Sequence, residues 1–241
     1  MASSEDILER VRHELKSERR LDLHHSPIEA RIEHGLLTLE GEVADIAAKK
    51  LTLERVAALP GVTGIVDRLH VRPASPMEDG EIRDALRNAL LQEPAFADIA
   101  LYEEVKGEWL AVRLPAEGAA GEIRASVADG VVTLAGDVSG LVLKRLAGVL
   151  AWWIPGSRDV VNGIAVTPPE EDNDDEITEA VRIALEKDPF VNASQIRVRT
   201  RDSQVTLDGF VPSEAEREMA EFDAWYVFAV DKVINRIAVP K

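Results

Sequence analysis

The sequence predicts an α+β protein of three tandem αββαβ units, each a two-layer sandwich with a small mixed three-stranded sheet and two helices on one face. First, a short segment ending in glycine occurs three times, at residues 35–41, 130–136 and 203–209. Second, an isoleucine stands thirteen residues before each closing glycine. Third, an apolar segment ends thirty residues after it. Offsets that are identical in three copies indicate one structural unit repeated along the chain.

Each copy is predicted to begin with an amphipathic helix. Apolar side chains recur at four-residue spacing in the first part of every copy, which places them on one face of a helix. The three sets are Ile7, Val11 and Leu15; Ile82, Leu86 and Leu90; and Ile177, Val181 and Leu185.

A β-hairpin follows the first helix in each copy. Apolar and polar residues alternate on both sides of a turn near His34-Gly35 in the first copy. In the second copy the turn is predicted at Asp129-Gly130, a pair that favours a two-residue hairpin.

A second helix and a third strand complete each copy. Ser213 followed by Glu216 predicts a capping box at the start of the second helix in the third copy. Ser139 is expected to cap the corresponding helix in the second copy. A right-handed strand–helix–strand connection then puts both helices on one face of the sheet.

Proline-containing polar segments separate the copies and give domain boundaries of 1–72, 78–167 and 174–241. The middle copy contains about twenty additional residues. We interpret them as an inserted β-hairpin at about 98–119, with its turn at Lys106-Gly107. Copies of this size have marginal cores, so packing between copies is expected.

Composition excludes several classes of protein. The chain has 46% hydrophobic residues, no cysteine and a formal net charge of −16. The absence of cysteine excludes disulfide scaffolds and thiolate sites, and the negative charge opposes nucleic-acid binding. No apolar run is long enough for a transmembrane segment. We expect a cytoplasmic protein, or a periplasmic one if a signal peptide has been removed.

The repeat resembles the BON domain, named for bacterial osmotically inducible and nodulation proteins. The third copy is most similar, through residues 188–198, 205–213 and 233–239. Pro60-Gly61 and Pro155-Gly156 precede the last strand in the other two copies, as in the family, whereas the third copy has Phe228-Ala229-Val230 there. The final strands also contain the family-like polar residues Asp67, Asn162 and Asn235. The resemblance implies a non-enzymatic binding module of the cell envelope or of stress responses, in several members associated with phospholipid. A cytosolic relative binds potassium.

Glycines are the most regular motif, and we assign them a structural role. Gly41, Gly136 and Gly209 stand where a side chain would clash or where φ turns positive. Gly61 and Gly156 belong to the family-like turn before the last strand.

Two sets of side chains are candidates for binding. Arg197, Arg199 and Arg201 alternate on a predicted strand, so their guanidinium groups share one face and suit phosphate or carboxylate. The alternative is a solvated face paired with Asp208 across the hairpin. Trp109 and Trp153 are candidates for an exposed aromatic patch. The alternative for the tryptophans is packing in the core or between copies.

The residues contain no convincing nucleophile–base pair, metal triad or phosphate-binding loop, so no enzyme activity, cofactor or metal is predicted. The first hypothesis is a non-catalytic binding or scaffold protein linked to osmotic or other stress. The second is an envelope-associated phospholipid-binding protein, and the third is a protein that binds K⁺ or Ca²⁺. The expected partner is an unidentified protein or a phospholipid.

Overall fold

The computed structural model describes residues 3–34, 36–114 and 121–240 and confirms the α+β prediction. The chain forms two compact units, Met1–Arg72 and Pro73–Lys241. The first unit contains the first copy of the repeat, and the second contains the other two copies. Gly35 of the first predicted hairpin turn lies outside the described residues, as does the end of the predicted insertion beyond residue 114.

The first unit has the predicted order helix, strand, strand, helix, strand. Its elements are α1 (Ser4–Ser17), β1 (Glu29–Glu33), β2 (Leu36–Val43), α2 (Ile46–Ala57) and β3 (Gly64–Val71). The central strand β2 pairs antiparallel with β1 and parallel with β3. The predicted helical stripe is buried and packs with Leu37, Leu39 and Leu69 in one core.

The second copy of the repeat has a larger sheet. Its elements are α3 (Asp79–Gln92), β4 (Ala100–Val105), β5 (Glu108–Arg113), β6 (Gly121–Ala128), β7 (Val131–Val138), α4 (Leu141–Trp152), β8 (Asp159–Asn162) and β9 (Ala165–Val166), with a 3₁₀ turn at Pro94–Phe96. The inserted hairpin is β4–β5, and Lys106 and Gly107 form its turn with positive φ. Because β4 pairs parallel with β6, the insertion extends the sheet to the order β5-β4-β6-β7-β8, with β9 paired to β7.

The third copy returns to the simple pattern. Its elements are α5 (Asp174–Lys187), β10 (Ile196–Arg201), β11 (Gln204–Phe210), α6 (Glu214–Tyr226) and β12 (Lys232–Ala238), with a 3₁₀ turn at Ala193–Gln195. Strand β11 pairs antiparallel with β10 and parallel with β12. The buried side of this sheet carries Val205, Leu207 and Ile237.

The repeated glycines lie where two strands approach too closely for a side chain. Gly136 pairs with Ile123 and Gly209 pairs with Ile196, so the thirteen-residue offset is the register of the hairpin. A Cβ atom at Gly136 would lie 2.2 Å from a backbone carbonyl oxygen, and one at Gly209 would lie 2.1 Å from another. Both glycines have positive φ, and both strands continue past them. The close approach of the backbone therefore accounts for glycine at both positions.

The turn before the last strand also brings backbone close to a helix. A Cβ atom at Gly61 would lie 2.6 Å from Cδ1 of Ile7, and one at Gly156 would lie 2.8 Å from Cγ1 of Ile82. In both copies the first residue of the buried helical stripe therefore packs directly on this glycine. In the third copy Ala229 takes the glycine position with a φ of 68°.

Helix capping differs from the sequence prediction in the second copy. Ser139 does not cap α4, whose N-cap residue is Gly140. The amide of Leu141 instead donates to Oε2 of Glu170, at 2.7 Å. A carboxylate from the segment that joins the second and third copies thus replaces the expected hydroxyl. The prediction from Ser139 was wrong because the cap comes from twenty-nine residues further along the chain.

Ser213 does cap α6, since its hydroxyl accepts the Glu216 amide. The side chain of Glu216 does not complete the predicted capping box: it accepts the amide of Asn192 at 2.8 Å. The carboxylate is thereby used to join α6 to the segment that precedes β10.

The second and third copies pack against each other through helix α4. This helix is apolar on nearly all sides, and α5 and α6 cover the side that its own sheet does not. Trp152 stacks on Tyr226 with ring centroids 5.8 Å apart, and Lys187 pairs with Glu93 at 2.8 Å. The expected packing between copies is therefore present between these two.

Arg145 anchors the same interface from within α4. Its side chain is 1% exposed, pairs with Asp172 of the connecting segment and donates from Nε to the carbonyl of Phe228 at 3.4 Å. The neighbouring Lys144 ammonium lies 5.3 Å from the centroid of the Phe228 ring. Charged groups thus hold the connecting segment and the end of α6 onto α4.

Candidate functional site

The three candidate arginines lie on one exposed face of β10, as the alternation predicts. Ile196 and Val198 are buried on the side that faces the helices, whereas Arg197, Arg199 and Arg201 are exposed on the opposite side. No helix of the third copy covers this side, because α5 and α6 both pack on the other one. We call this side of β10, β11 and β12 the open face.

Two further cations lie on the open face, and the sequence analysis missed them. Strand register places Lys232 beside Gln204, which in turn pairs with Arg201. Arg236 lies beside Asp208, which in turn pairs with Arg197. Since directly paired residues point to the same side of a sheet, both cations share the face of the arginines. The period-two alternation of Lys232, Ile234 and Arg236 was the signal that could have found them.

The open face is basic in a chain that is strongly acidic. It carries five cationic side chains, and its strands contribute one carboxylate, Asp208, which pairs with Arg199. Arg201 lies 3.8 Å from Asp202 in the adjacent turn, with both side chains almost fully exposed. Among the described residues, Arg197, Lys232 and Arg236 have no ion-pair partner. The predicted pairing with Asp208 is present but neutralises only one arginine.

Corresponding positions in the other copies lack this charge. In the first copy, β1 presents Glu29, Arg31 and Glu33 on its exposed side. In the second copy, the positions equivalent to the three arginines are Arg124, Ser126 and Ala128. The repeat therefore supplies three similar sheets, and the third alone combines five cations with one acid.

Thr206 and Phe210 complete the chemistry of the open face. Thr206 pairs with Arg199 and presents a hydroxyl at the centre of the face. Phe210, 47% exposed, lies at the end of β11 and offers apolar surface beside the cations. Forked guanidinium donors, a hydroxyl and an exposed ring suit an anionic group that is attached to apolar material.

The two candidate tryptophans do not join the arginines. Trp109 is 46% exposed, but it lies on β5 in the sheet of the second copy. Trp153 is half-buried between the second and third copies, where its Nε1 donates to Oδ1 of Asp223 at 2.9 Å. Packing between copies, the stated alternative, therefore describes Trp153, and Trp109 belongs to a separate surface.

Asp223 is a buried carboxyl group at that interface. Its residue is 2% exposed, and Oδ2 has no hydrogen-bond partner among the described residues. Burial raises the pKa of Asp223 to about 8, and the nearby Asp188 carboxylate adds to the rise, while the bond from Trp153 opposes it. No sequence signal marked Asp223, because its partners come from α4 and from the end of α5.

Metal-binding clusters and membrane-spanning helices are both absent from the part of the chain that the structure describes. Residues 3–34, 36–114 and 121–240 contain no group of three His, Asp or Glu side chains that could hold a metal ion. Within the same residues, no helix is both long enough and apolar enough to span a membrane.

Comparison with known proteins gives one family match. The family model described as the BON domain matches three times, at residues 3–73, 108–168 and 173–241. The second match begins in β5, so it leaves α3 and β4 outside the matched ranges. No curated protein sequence matches the chain significantly.

Two solved structures of one bacterial protein show low similarity to the chain. CdsD, a structural protein of the type III secretion system of Chlamydia trachomatis, is 14% identical, with 98% of this chain and 92% of that chain covered and a TM-score of 0.25. The C-terminal domain of CdsD is 13% identical, with both chains covered completely and the same TM-score of 0.25. Scores this low support no conclusion about fold or function.

Proposed function

Because the chain belongs to the BON-domain family, we propose that it is a non-catalytic binding and scaffold protein whose third copy binds anionic phospholipid through its open face. One observation carries the proposal: five cations and one carboxylate lie together on an uncovered sheet face of a chain whose net charge is −16. The resemblance to phospholipid-associated family members supports the choice of ligand.

Electrostatics determines how such a chain would meet an anionic membrane. The acidic remainder is repelled, so the open face is the favoured point of contact. One arginine guanidinium can donate to two phosphate oxygens at once. Phe210 adds apolar contact at the border between the lipid headgroup and the acyl chains. Binding of this kind weakens as salt increases, because the Debye length falls from about 30 Å at 0.01 M to about 8 Å at 0.15 M.

The role of the second copy is to hold the third in place. The α4 interface fixes the position of α5 and α6, and these helices pack on the buried side of the sheet. The open face therefore belongs to one compact unit that contains both copies. This arrangement suits a scaffold in which one copy binds and its neighbour supports.

Flotation of the full-length chain with vesicles tests the proposal. The wild-type chain is expected to float with phosphatidylglycerol vesicles at low salt and not with phosphatidylcholine vesicles. The triple variant Arg197→Gln, Arg201→Gln and Arg236→Gln is expected to lose at least tenfold in apparent affinity. The matched control replaces Arg10, Arg12 and Arg19, exposed cations of the first copy, by Gln. It changes net charge equally and is expected to bind as wild type.

Three results would overturn the lipid assignment. The first is that the wild-type chain does not float with vesicles at low salt. The second is that both triple variants lose the same amount of vesicle affinity. The third is that the same face binds a single-stranded RNA oligonucleotide. Soluble glycerophosphate is included as a competitor, and weak competition is expected because a vesicle engages several cations at once.

The remaining functional expectations stay predictions. Cation binding has no site among the described residues that favours it. A link to osmotic stress and a cytoplasmic location rest on the resemblance and on the sequence, and cell fractionation tests the location.

A further inference from the structure

The second sheet ends in a strand whose outer edge is uncovered by any other described strand. Strand β5 is the terminal strand in the order β5-β4-β6-β7-β8. Val105 pairs with Glu108 across the two-residue turn, so the backbone groups of Glu108 and Leu110 point toward β4. Those of Trp109 and Ala111 consequently point outward, where they can pair with another strand.

The composition of β5 differs from that of three other edge strands, β1, β10 and β12. Charged residues alternate along the outer side of the edge strands β1, β10 and β12, and this pattern discourages pairing between chains. Strand β5 has charges only at its ends, at Glu108 and Arg113. The uncharged run between them exposes Trp109 and Leu110, each by 46%. The edge lacks the alternating charge that β1, β10 and β12 carry.

The strand is complementary to itself in an antiparallel arrangement. With Leu110 on a two-fold axis opposite its own copy, Trp109 of one strand lies opposite Ala111 of the other, so a large side chain meets a small one. The same arrangement brings Glu108 of each strand toward the Arg113 end of its partner, whereas a parallel arrangement would place like charges together. Arg113 donates to the carbonyls of Ile99 and Phe96, and it has no carboxylate partner among the residues that the structure describes, so its positive charge is not neutralised there.

We propose that β5 is a self-association edge, through which a second copy of this chain pairs antiparallel and joins the two sheets into one. Strand pairing alone buries less surface than a standard protein interface, so we expect a reversible dimer with a dissociation constant of about 10 μM. Closed two-fold symmetry uses the edge on both chains, so assembly stops at the dimer.

Sedimentation velocity of the full-length chain between about 1 and 200 μM tests the proposal, with the concentration range chosen to span the expected constant. The wild type is expected to shift from monomer to dimer. The register of β4 and β5 shifts between Leu101 and Tyr102, just beyond Ala111. Ala111→Pro removes an amide that the alternation counted from the turn directs outward, so it is expected to abolish the dimer. Ala111→Ser is the matched control and is expected to dimerise like the wild type.

A second variant keeps the test valid if proline disturbs the fold. Leu110→Lys places two ammonium groups opposite each other on the axis, and it is expected to weaken the dimer at least tenfold. The proposal is overturned if the wild-type chain stays monomeric up to 200 μM. It is also overturned if either variant, Ala111→Pro or Leu110→Lys, dimerises like the wild type, or if the assembly grows beyond two chains.

Discussion

Lys49 of helix α2 and Asp67 of strand β3 form an ion pair in which the lysine is buried and the aspartate is partly exposed, with Nζ and Oδ2 3.0 Å apart. The same eighteen-residue separation joins Asn162 to Lys144 and Asn235 to Arg217, where the asparagine amide donates to the helix carbonyl. In all three copies the strand residue also accepts the amide two residues further along. The polar link between the second helix and the third strand is therefore an ion pair in the first copy and an amide–carbonyl hydrogen bond in the other two copies.

Replacing Lys49 tests whether the two links are equivalent. Lys49→Met removes the donor to the Leu69 carbonyl and the counterion of Asp67, so it is expected to destabilise the first unit by about 2 kcal/mol. Adding Asp67→Asn supplies an amide that can donate to the carbonyl of residue 49, as Asn162 does in the second copy. The double variant is therefore expected to recover about 1 kcal/mol. In the wild-type background Asp67→Asn breaks the ion pair, so it is expected to destabilise the first unit.

Hydrogen exchange of the β3 backbone measures these changes, because every tryptophan and tyrosine of the chain lies in the second unit. The reversal in sign between the two backgrounds is the diagnostic result. An Asp67→Asn effect of equal size and sign in both backgrounds would show that the two links are not interchangeable.

Gly136→Ala tests the close approach in the hairpin of the second copy. The new methyl group would collide with the Glu122 carbonyl, so we expect a loss of at least about 3 kcal/mol in the free energy of unfolding. Gly107→Ala is the matched control, because its positive φ is similar but no atom of the described residues lies within 4 Å of the added carbon. The control is expected to lose about 1 to 2 kcal/mol. Urea unfolding followed by tryptophan fluorescence measures both, and equal losses would contradict the collision.

The repeat made most of the fold predictable from the sequence. The offset between Ile196 and Gly209 gives the register of the hairpin, and the Lys106-Gly107 pair gives the position of a turn. Hairpin register and turn position are both predictable because they depend on residues close in sequence and on backbone sterics. The cap of α4 was not predictable in the same way. Glu170 lies twenty-nine residues beyond Leu141, and no local sequence pattern records a contact over that separation.

The candidate site was half predictable for a similar reason. The arginines of β10 share a face by alternation within one strand, and the structure places them as expected. Lys232 and Arg236 complete the face through the register of a parallel pairing, which depends on how α6 crosses the sheet. The environment of Trp153 depended on the arrangement of two copies, which local sequence does not determine.

Ala229→Gly tests the departure of the third copy from the glycine turn. Alanine is held there at a φ of 68°, a conformation that disfavours a residue with a Cβ atom by about 1 to 2 kcal/mol. Glycine removes that strain and loses more entropy on folding, so a net gain of about 0.5 to 1 kcal/mol is expected. Urea unfolding followed by tryptophan fluorescence measures it. Ala215→Gly, on the exposed side of α6, is the control and is expected to destabilise. A loss of stability in Ala229→Gly would contradict the assignment of strain.

Asp223→Asn tests the buried carboxyl group between the second and third copies. The folded-state pKa of Asp223, about 8, is above the ordinary value of 3.8, so the folded chain binds the proton more tightly than the unfolded chain. The contribution of this group to stability is therefore fully present below pH 4 and is lost as the pH rises toward 8.

Asparagine stays neutral and still accepts from Trp153, so the variant is expected to be more stable than wild type at pH 7, by an amount on the order of a few kcal/mol. Urea unfolding of both chains at pH 5, 6 and 7, followed by tryptophan fluorescence, measures the difference, which should grow as the pH rises. Glu218→Gln, which removes an exposed carboxylate from the same helix, is the control for the loss of one negative charge. A constant difference between Asp223→Asn and wild type would mean that Asp223 is already ionised in the folded protein.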